Sequence, residues 1–372
     1  MPVDVEFSLA LNDRTGKLFL GREIIAALGE RVASVRYGRR KAFPRSDLGR
    51  RIAGRLTRWE TTARVFHPGL AAVLPRLRTP HPTLHLDPLS VVRHRLEGRD
   101  IVLCHDVGPL THPDQFAPGV DRLYAHAYAR IRSAKPHMVF VSRTSQQAFH
   151  ALFGEDFPSS TVIYIPVRGE MSGLPASRSP EARSSEARPA GVDTPFLLTV
   201  GSIGRRKNQA RCIAAFARSG LAAQGWRYVL IGGREPGAEE AIPLGTTTAG
   251  VVMPGYAGDA ELRWLYRHAD GFVLMSLLEG FGMPVIEAAE HGLPCLVTES
   301  SVLAEVGGPA MLRADATDEA AIAEGMRALA GMPPAERAER VARGRAHLAL
   351  FDRERVLGQW RELVDRVAGG AS

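Results

Sequence analysis

Short apolar runs alternate with stretches of helical period through most of the chain. The runs predict strands at VDVEFSLAL (3–11), VASVRYG (32–38), DIVLCHD (100–106), HMVFVS (137–142) and STVIYIP (160–166). A second series follows at FLLTVGS (196–202), RYVLIGG (227–233), GVVMPG (250–255), GFVLMS (271–276) and PCLVTE (294–299). Most are continuous rather than alternating, the pattern of strands buried on both faces of a parallel sheet. Helices are expected between them, over 17–29, 121–133, 144–153, 207–219, 259–268, 284–291, 318–330 and 351–367. Strand, helix, strand in this order predicts an α/β protein with doubly wound sheets.

The two series are separated by 168–195, a stretch rich in Ser, Pro, Ala, Arg and Glu without an apolar period, which reads as a linker or long loop. The organisation expected is a Rossmann-like domain over 1–170, a linker over 171–194, a second Rossmann-like domain over 195–350, and a C-terminal amphipathic helix within 351–372. Open α/β sheets bind ligands at the carboxyl ends of their strands, so two such edges facing each other suit a two-part substrate.

Composition narrows the class. The 372 residues are 45% hydrophobic and 23% charged, which excludes a disordered or fibrous chain. Cys104, Cys212 and Cys295 are odd in number and far apart, which excludes a disulfide framework and a C-x-x-C metal site and points to a reducing compartment. The N-terminus lacks the charged and apolar segments of a signal peptide, and no apolar stretch is long enough to span a bilayer. A cytoplasmic protein is expected.

The net charge of +7 is unevenly spread. Residues 31–100 hold sixteen Lys or Arg, among them Arg39, Arg40, Lys41, Arg50, Arg51, Arg55 and Arg58, against five Asp or Glu. That segment carries 16 − 5 = +11, and the remainder of the chain is slightly acidic. Such a segment is a solvated basic face or an attractor of an anionic partner, with peripheral association to an anionic membrane surface one expectation. Nucleic acid is not expected, since the segment has no RNP-like or zinc-finger pattern and few aromatics to stack on bases.

The most informative stretch is SLLEGFGMPVIEAAEHGLP, from Ser276 to Pro294. A buried strand ends at Ser276, a loop with two glycines follows, and Pro284 suits the first helical position. The amides around Gly282 and Met283 then lie at a helix N-terminus, an anion site. Seven residues separate Glu279 from Glu287. Glu287 is expected in the first helical turn, fixed by the helix dipole, where a carboxylate can accept two hydrogen bonds from a vicinal diol such as ribose. A second motif, TVGSIGRRKNQ from Thr199 to Gln209, places glycines beside Arg206 and Lys207 at a strand-to-helix turn and suits a diphosphate, although it is not a P-loop.

Together these motifs resemble the retaining glycosyltransferases of family 4, which have the GT-B fold. The resemblance rests on the E-x7-E pattern Glu279 to Glu287, preceded by Ser276, and on the G-x-x-x-x-R-K-N loop Gly201 to Asn208. It extends through IVLCHDVGPLTHPDQF with His105–Asp106, through HMVFVSRTSQQAF and VIYIPVRG, and through GDAELRWLYRHADGFVLMS and CLVTESSVLAEVGGPAML. At the N-terminus only Thr15 and Gly16 of the family's T-G-I-x-R pattern remain.

The resemblance implies two Rossmann-like domains facing across a cleft, with a C-terminal helix returning to the first. It implies that Glu287 holds the donor ribose, that Arg206 and Lys207 neutralise the departing diphosphate, and that Glu279 contacts sugar hydroxyls near the reacting carbon. The amides of Gly280, Phe281, Gly282 and Met283 would line the sugar and distal phosphate. His105 would face the sugar, Gly16 would approach the donor phosphate, and Tyr256 and Ala257 would meet the base. It further implies same-face transfer, with the leaving phosphate assisting acceptor deprotonation. No D-x-D pair occurs in the chain, so no metal and no cofactor are expected. The R-K-N form of the loop and the HDVGPLTHPDQF stretch look most like bacterial mannosyltransferases using GDP-mannose, acting on a glycan, lipid-linked or small-molecule acceptor, with rhamnosyl, fucosyl and glucosyl donors open. A sugar-nucleotide epimerase of GT-B fold and a non-catalytic sugar-nucleotide-binding protein are the alternatives, while the absence of G-x-G-x-x-G after an early strand speaks against a nicotinamide dehydrogenase.

Overall fold

The structure, a computed structural model, describes residues 2–12, 16–168, 188–189, 191–193, 195–299 and 301–370. The expected linker falls almost entirely outside them, as does Thr15. The chain forms two compact units, one comprising Met1–Pro166 with Arg353–Ser372, the other Val167–Asp352. Each is an α/β unit built on a parallel six-stranded sheet.

In the first unit the strands are β1 (Val3–Glu6), β2 (Val32–Arg36), β3 (Thr83–His85), β4 (Ile101–Cys104), β5 (His137–Phe140) and β6 (Ser160–Val162), in spatial order β2-β1-β3-β4-β5-β6. The sides of β1, β3 and β4 are fully buried, which is why their sequences run apolar without alternation. Helices α1 (Gly16–Leu28), α2 (Asp47–Phe66), α3 (Pro68–Val73), α4 (Gly108–Thr111), α5 (Val120–Ala134) and α6 (Arg143–Phe153) accompany them. The C-terminal helix, Arg353–Ala368, packs against α1, with Trp360 fully buried and ion pairs Arg353–Glu23 at 2.6 Å and Arg31–Asp365 at 2.7 Å beside the contact.

Several features depart from the sequence expectation, among them strand β3, which no predicted run covers. The run 3–11 is not one strand: β1 stops at Glu6, whose carboxylate accepts from the Ser8 amide at 3.3 Å and hydroxyl at 3.0 Å and draws the chain into a 3-10 turn, Ser8–Leu11. The run 160–166 pairs only over Ser160–Val162, because β6 is an edge strand and Ile163 and Ile165 are buried as core beyond the ladder. Helix α2 was not anticipated. Its core-facing residues are Ala53, Gly54, Thr61 and Ala63 with the ion pair Glu60–Arg64, whereas Leu48, Ile52, Leu56 and Trp59 face outward. Apolar periodicity therefore gives no inward stripe to read.

The second unit holds β7 (Phe196–Val200), β8 (Arg227–Ile231), β9 (Val251–Gly255), β10 (Gly271–Leu274), β11 (Cys295–Thr298) and β12 (Leu312–Ala314), in order β12-β11-β10-β7-β8-β9. Helices α7 (Gln209–Ser219), α8 (Ala238–Thr247), α9 (Asp259–His268), α10 (Met283–Glu290), α11 (Val302–Gly307), α12 (Glu319–Ala330) and α13 (Pro334–His347) complete it. Two apolar clusters, one containing Phe196, Leu198, Phe272 and Leu274 and the other Leu197, Tyr228, Val273 and Leu296, cover opposite faces of the sheet. Alternate residues of β7 and β10 point to opposite clusters, as a doubly wound sheet requires. Strands β7 and β10 are neighbours, so the loops that leave their carboxyl ends emerge side by side.

The Glu60 carboxylate takes two guanidinium groups, Arg64 at 2.9 Å and Arg39 at 2.9 Å, and the Arg64 side chain is only 3% exposed. Glu60→Ala leaves that buried cation without its partner and is expected to cost about 3 kcal/mol, read as a lower thermal midpoint and faster hydrogen exchange over α2, with Glu60→Gln milder.

Candidate active site

The loop after β7 is shaped by close backbone packing. Gly201 has φ +148°, and its carbonyl lies where a side chain on Gly232 (φ +156°) would stand, with an added Cβ only 2.0 Å from the oxygen. The amides of this loop are committed internally: Gly201 donates to Ile231 at 2.8 Å, Ile203 to Gly233 at 2.6 Å, Gly204 to the Gln209 side chain at 3.1 Å, and Arg205 to Pro236 at 3.0 Å. Arg206 and Lys207 sit in a 3-10 turn, Arg205–Lys207, and α7 begins only at Gln209, after Asn208 in the left-handed region (φ 60°). The loop therefore presents cationic side chains rather than a row of amides.

Those cations meet the loop after β10. Arg206 donates through Nη1 to the Leu278 carbonyl at 3.1 Å and to Glu279 Oε2 at 3.4 Å, and through Nη2 to Glu235 Oε2 at 3.2 Å. Lys207 Nζ donates to Glu279 Oε1, which also accepts from Ser276 Oγ at 2.9 Å. The Leu277 amide bonds the Arg206 carbonyl at 2.9 Å, and Asn208 Nδ2 reaches the Met275 carbonyl at 3.0 Å, so the two loops are stitched together. Burial pushes the Glu279 carboxyl upward, but Lys207 and Arg206 outweigh it and hold the group below the usual carboxylate range. The structure thus unites Arg206, Lys207 and Glu279, and adds Glu235, which the sequence reading missed; its place just after the β8 run, in GGREPG, was the available signal.

Gly282 caps α10 with φ +99°, and a Cβ there would lie 2.4 Å from Leu303 Cδ2, so a glycine is needed. Pro284 is the second helical residue after Met283, not the first. Phe281 is buried edge-on to Phe351, ring centroids 5.8 Å apart, and Met283 is also buried, so at both positions only the backbone is available to a ligand. Gly280 precedes them in the same loop.

Glu287 departs from its expected setting. It is the fifth residue of α10, outside the first turn, where the dipole effect has decayed. Its carboxylate, 4% exposed, is fixed instead by side chains: Tyr266 Oη donates to Oε2 at 2.8 Å and Arg168 Nε lies 3.4 Å from Oε1. Burial, with Glu287 beside it, keeps the Tyr266 phenol protonated well above its ordinary range, as a donor must be. His291 stacks on that ring, centroids 5.1 Å apart. Neither Tyr266 nor Arg168 had a sequence signal, since each meets Glu287 only through the fold.

Tyr256 and Ala257 follow β9, the edge strand two places from β7. The Tyr256 side chain is 84% exposed, whereas Ala257 belongs to the core. In the first unit, His105 follows β4, is buried, and makes a 3.0 Å hydrogen bond from Nε2 to the Leu86 carbonyl. Gly16 is the first residue of α1, and the next residue, Lys17, lies 3.7 Å from Asp87. Asp87 also lines a cavity of about 320 Å³ with Asn12, Arg58, Thr61, Ser90 and Arg93, another feature not seen from sequence. Among the described residues, no cluster of three His, Cys, Asp or Glu could hold a metal ion.

Strand order brings the Arg206–Lys207 and Glu279 loops together in the second unit, and comparison with known proteins shows what the chain is similar to. Residues 181–346, within the second unit, match the family model described as "Glycosyl transferases group 1". The chain is 27% identical over 267 residues to the O-antigen chain mannosyltransferase B of Escherichia coli, covering 70% of this chain and 68% of that protein. It is 26% identical over 229 residues to the serotype-specific mannosyltransferase WbdA of Escherichia coli, covering 59% of this chain but only 28% of that larger protein. Among solved structures it resembles Anabaena Alr3699/HepE in complex with UDP and glucose, with a TM-score of 0.68, 16% identity and coverage of 98% and 99% of the two chains. It also resembles an α,α-trehalose-phosphate synthase from Burkholderia vietnamiensis, with a TM-score of 0.57, 16% identity and coverage of 90% and 80%. The fold is GT-B.

Glu290, one turn after Glu287, is raised to about 7 by its burial and by Glu287. The folded state then holds a proton that the unfolded chain has released, so its contribution to stability is present at low pH and is lost as pH rises through about 7. Between about pH 5 and pH 7 the thermal midpoint of Glu290→Gln is therefore expected to gain on that of the native protein by about a degree or more.

Proposed function

We propose that this protein is a retaining hexosyltransferase that moves mannose from GDP-mannose to a glycan, lipid-linked or small-molecule acceptor in bacterial polysaccharide or glycoconjugate synthesis, without a metal ion. The observation that carries the reading is the junction of two motifs, Arg206–Lys207 and Glu279, at the neighbouring carboxyl ends of β7 and β10. The mannosyltransferase names of the relatives favour the donor sugar.

In this reading the bond from the sugar anomeric carbon to the diphosphate oxygen breaks as the acceptor oxygen bonds that carbon on the same face. The acceptor proton passes to the departing phosphate. Arg206 and Lys207 meet the charge that develops on the leaving group, the site where positive charge lowers the barrier most. Glu279, ionised and held by Ser276, accepts from sugar hydroxyls. The backbone of Gly280, Phe281, Gly282 and Met283 lines the sugar and distal phosphate. Glu287 accepts from the ribose, whose hydroxyl takes the place of the longer Arg168 contact while Tyr266 keeps the carboxylate oriented. Tyr256, with the Ala257 backbone, meets the base. The roles of His105 and Gly16, on the sugar and the phosphate, rest on the family resemblance alone. The cavity lined by Asn12, Arg58 and Asp87 supplies polar groups suited to acceptor hydroxyls.

A thermal-shift series with GDP-, UDP-, dTDP- and ADP-sugars tests the donor, because a ligand that binds only the folded state raises the midpoint. GDP-mannose is expected to give the largest shift, and Glu287→Ala to reduce it; equal shifts in the variant would remove Glu287 from the site. Incubation with donor alone separates the alternatives, since an epimerase would return an isomer. Lys207→Ala is expected to lower transfer by about a hundredfold, and excess EDTA to leave transfer by the native protein unchanged. Loss of activity in EDTA that Mg²⁺ restores would overturn the metal-free reading.

A further inference from the structure

Helix α2 is amphipathic in the reverse sense. Its inward face is small or ion-paired, and its outward face carries Leu48, Ile52, Leu56 and Trp59, exposed by 69%, 49%, 58% and 55%. Their spacing of four, four and three places them on one side of the helix, in line with its axis. Phe43, in the preceding loop, and Val73, at the end of α3, are exposed as well. Six of the eight large hydrophobic side chains exposed among the described residues thus lie between Phe43 and Val73. Isolated exposed leucines need no explanation, but a contiguous apolar row marks an interaction surface.

The charge around the row identifies the occupant. Arg51, Arg55 and Arg58 are exposed along the same helix, and Arg40, Lys41 and Arg45 are exposed in the loop before it. The helix has only two carboxylates, Asp47 at its start and the buried Glu60. The 31–100 segment carries +11 in a chain of net +7. Two copies of such a face would bring arginines against arginines, which disfavours self-association. Nucleic acid would use the arginines but leave the aliphatic row in water, and a single tryptophan is no stacking platform. An anionic bilayer uses both halves: the apolar row enters the headgroup boundary while guanidinium groups stay at the phosphate level, and a tryptophan is at home at that depth.

We propose that α2 lies flat on an anionic lipid surface, with Leu48, Ile52, Leu56 and Trp59 inserted at the headgroup boundary and Arg51 and Arg55 on lipid phosphates. The assignment is independent of the glycosyl-transfer reading, since it uses none of the residues placed on the donor.

The test is co-sedimentation of the full chain with vesicles of phosphatidylcholine alone and of phosphatidylcholine with about one-third phosphatidylglycerol. Binding is expected to the second and not the first, and to weaken without vanishing as salt rises from about 0.05 to about 0.5 M. Arg51→Gln with Arg55→Gln is expected to weaken it roughly thirtyfold, and Leu56→Ser with Trp59→Ser at least about tenfold. All four side chains are exposed, so the thermal midpoint serves as the control for folding. Of the four tryptophans, Trp59 alone is exposed, so its emission should shift to the blue on the anionic vesicles and the shift should be lost in Trp59→Phe. Equal binding to both vesicle types, no binding, or full binding by the Leu56/Trp59 variant would overturn the proposal. So would a native dimer that the same variant converts to monomer, which would make the row a self-interface.

Discussion

The second unit depends on one ionic contact, Glu279 with Lys207 and Arg206. A carboxylate at 8% exposure is costly to bury alone, and it persists here because two cations and a serine hydroxyl surround it. That contact requires the loops after β7 and β10 to be neighbours, which the strand order provides. It also fixes the charge state of the site. Glu279 stays ionised beside the two basic side chains. With water largely excluded, such charges act at a lower effective dielectric than they would on the surface.

Backbone geometry sets which groups the two loops present. The glycine-rich loop after β7 is packed so closely on Gly232 that its amides are used within the fold, and it presents side chains instead. The loop after β10 is the complement. Phe281 and Met283 turn their side chains into the core, and the positive φ of Gly282 brings the backbone to the helix start. Glu287 is held by tertiary neighbours rather than by its helix, so its orientation depends on Tyr266 from α9 and Arg168 from the start of the unit.

The first unit buries charge for a different purpose. Glu6 accepts from Arg93 Nη2 at 3.1 Å, Arg93 Nη1 also donates to Thr61 at 2.6 Å, and Glu60 clamps Arg39 and Arg64. These pairs attach α2 to the unit with few apolar contacts of its own. Its hydrophobic residues are thereby free to face outward, an inversion of the usual soluble helix.

How much of this was legible in the sequence follows from what each feature needs. The alternation of apolar runs and helices, the parallel sheets and the positions of the two motifs required only local pattern, since strands buried on both faces must be continuously apolar. Glu279, Arg206 and Lys207 could be named because glycines and charges at strand ends carry their own signal. The fold alone decided the rest. Strand order placed residues more than seventy positions apart within hydrogen-bonding distance, and it supplied Glu235, Tyr266 and Arg168 as partners. It also moved Glu287 out of the first turn and hid α2 behind a small, ion-paired inner face. Period and composition report burial against a generic core. Which charges meet is decided by long-range topology, and that is written in no single segment of the chain.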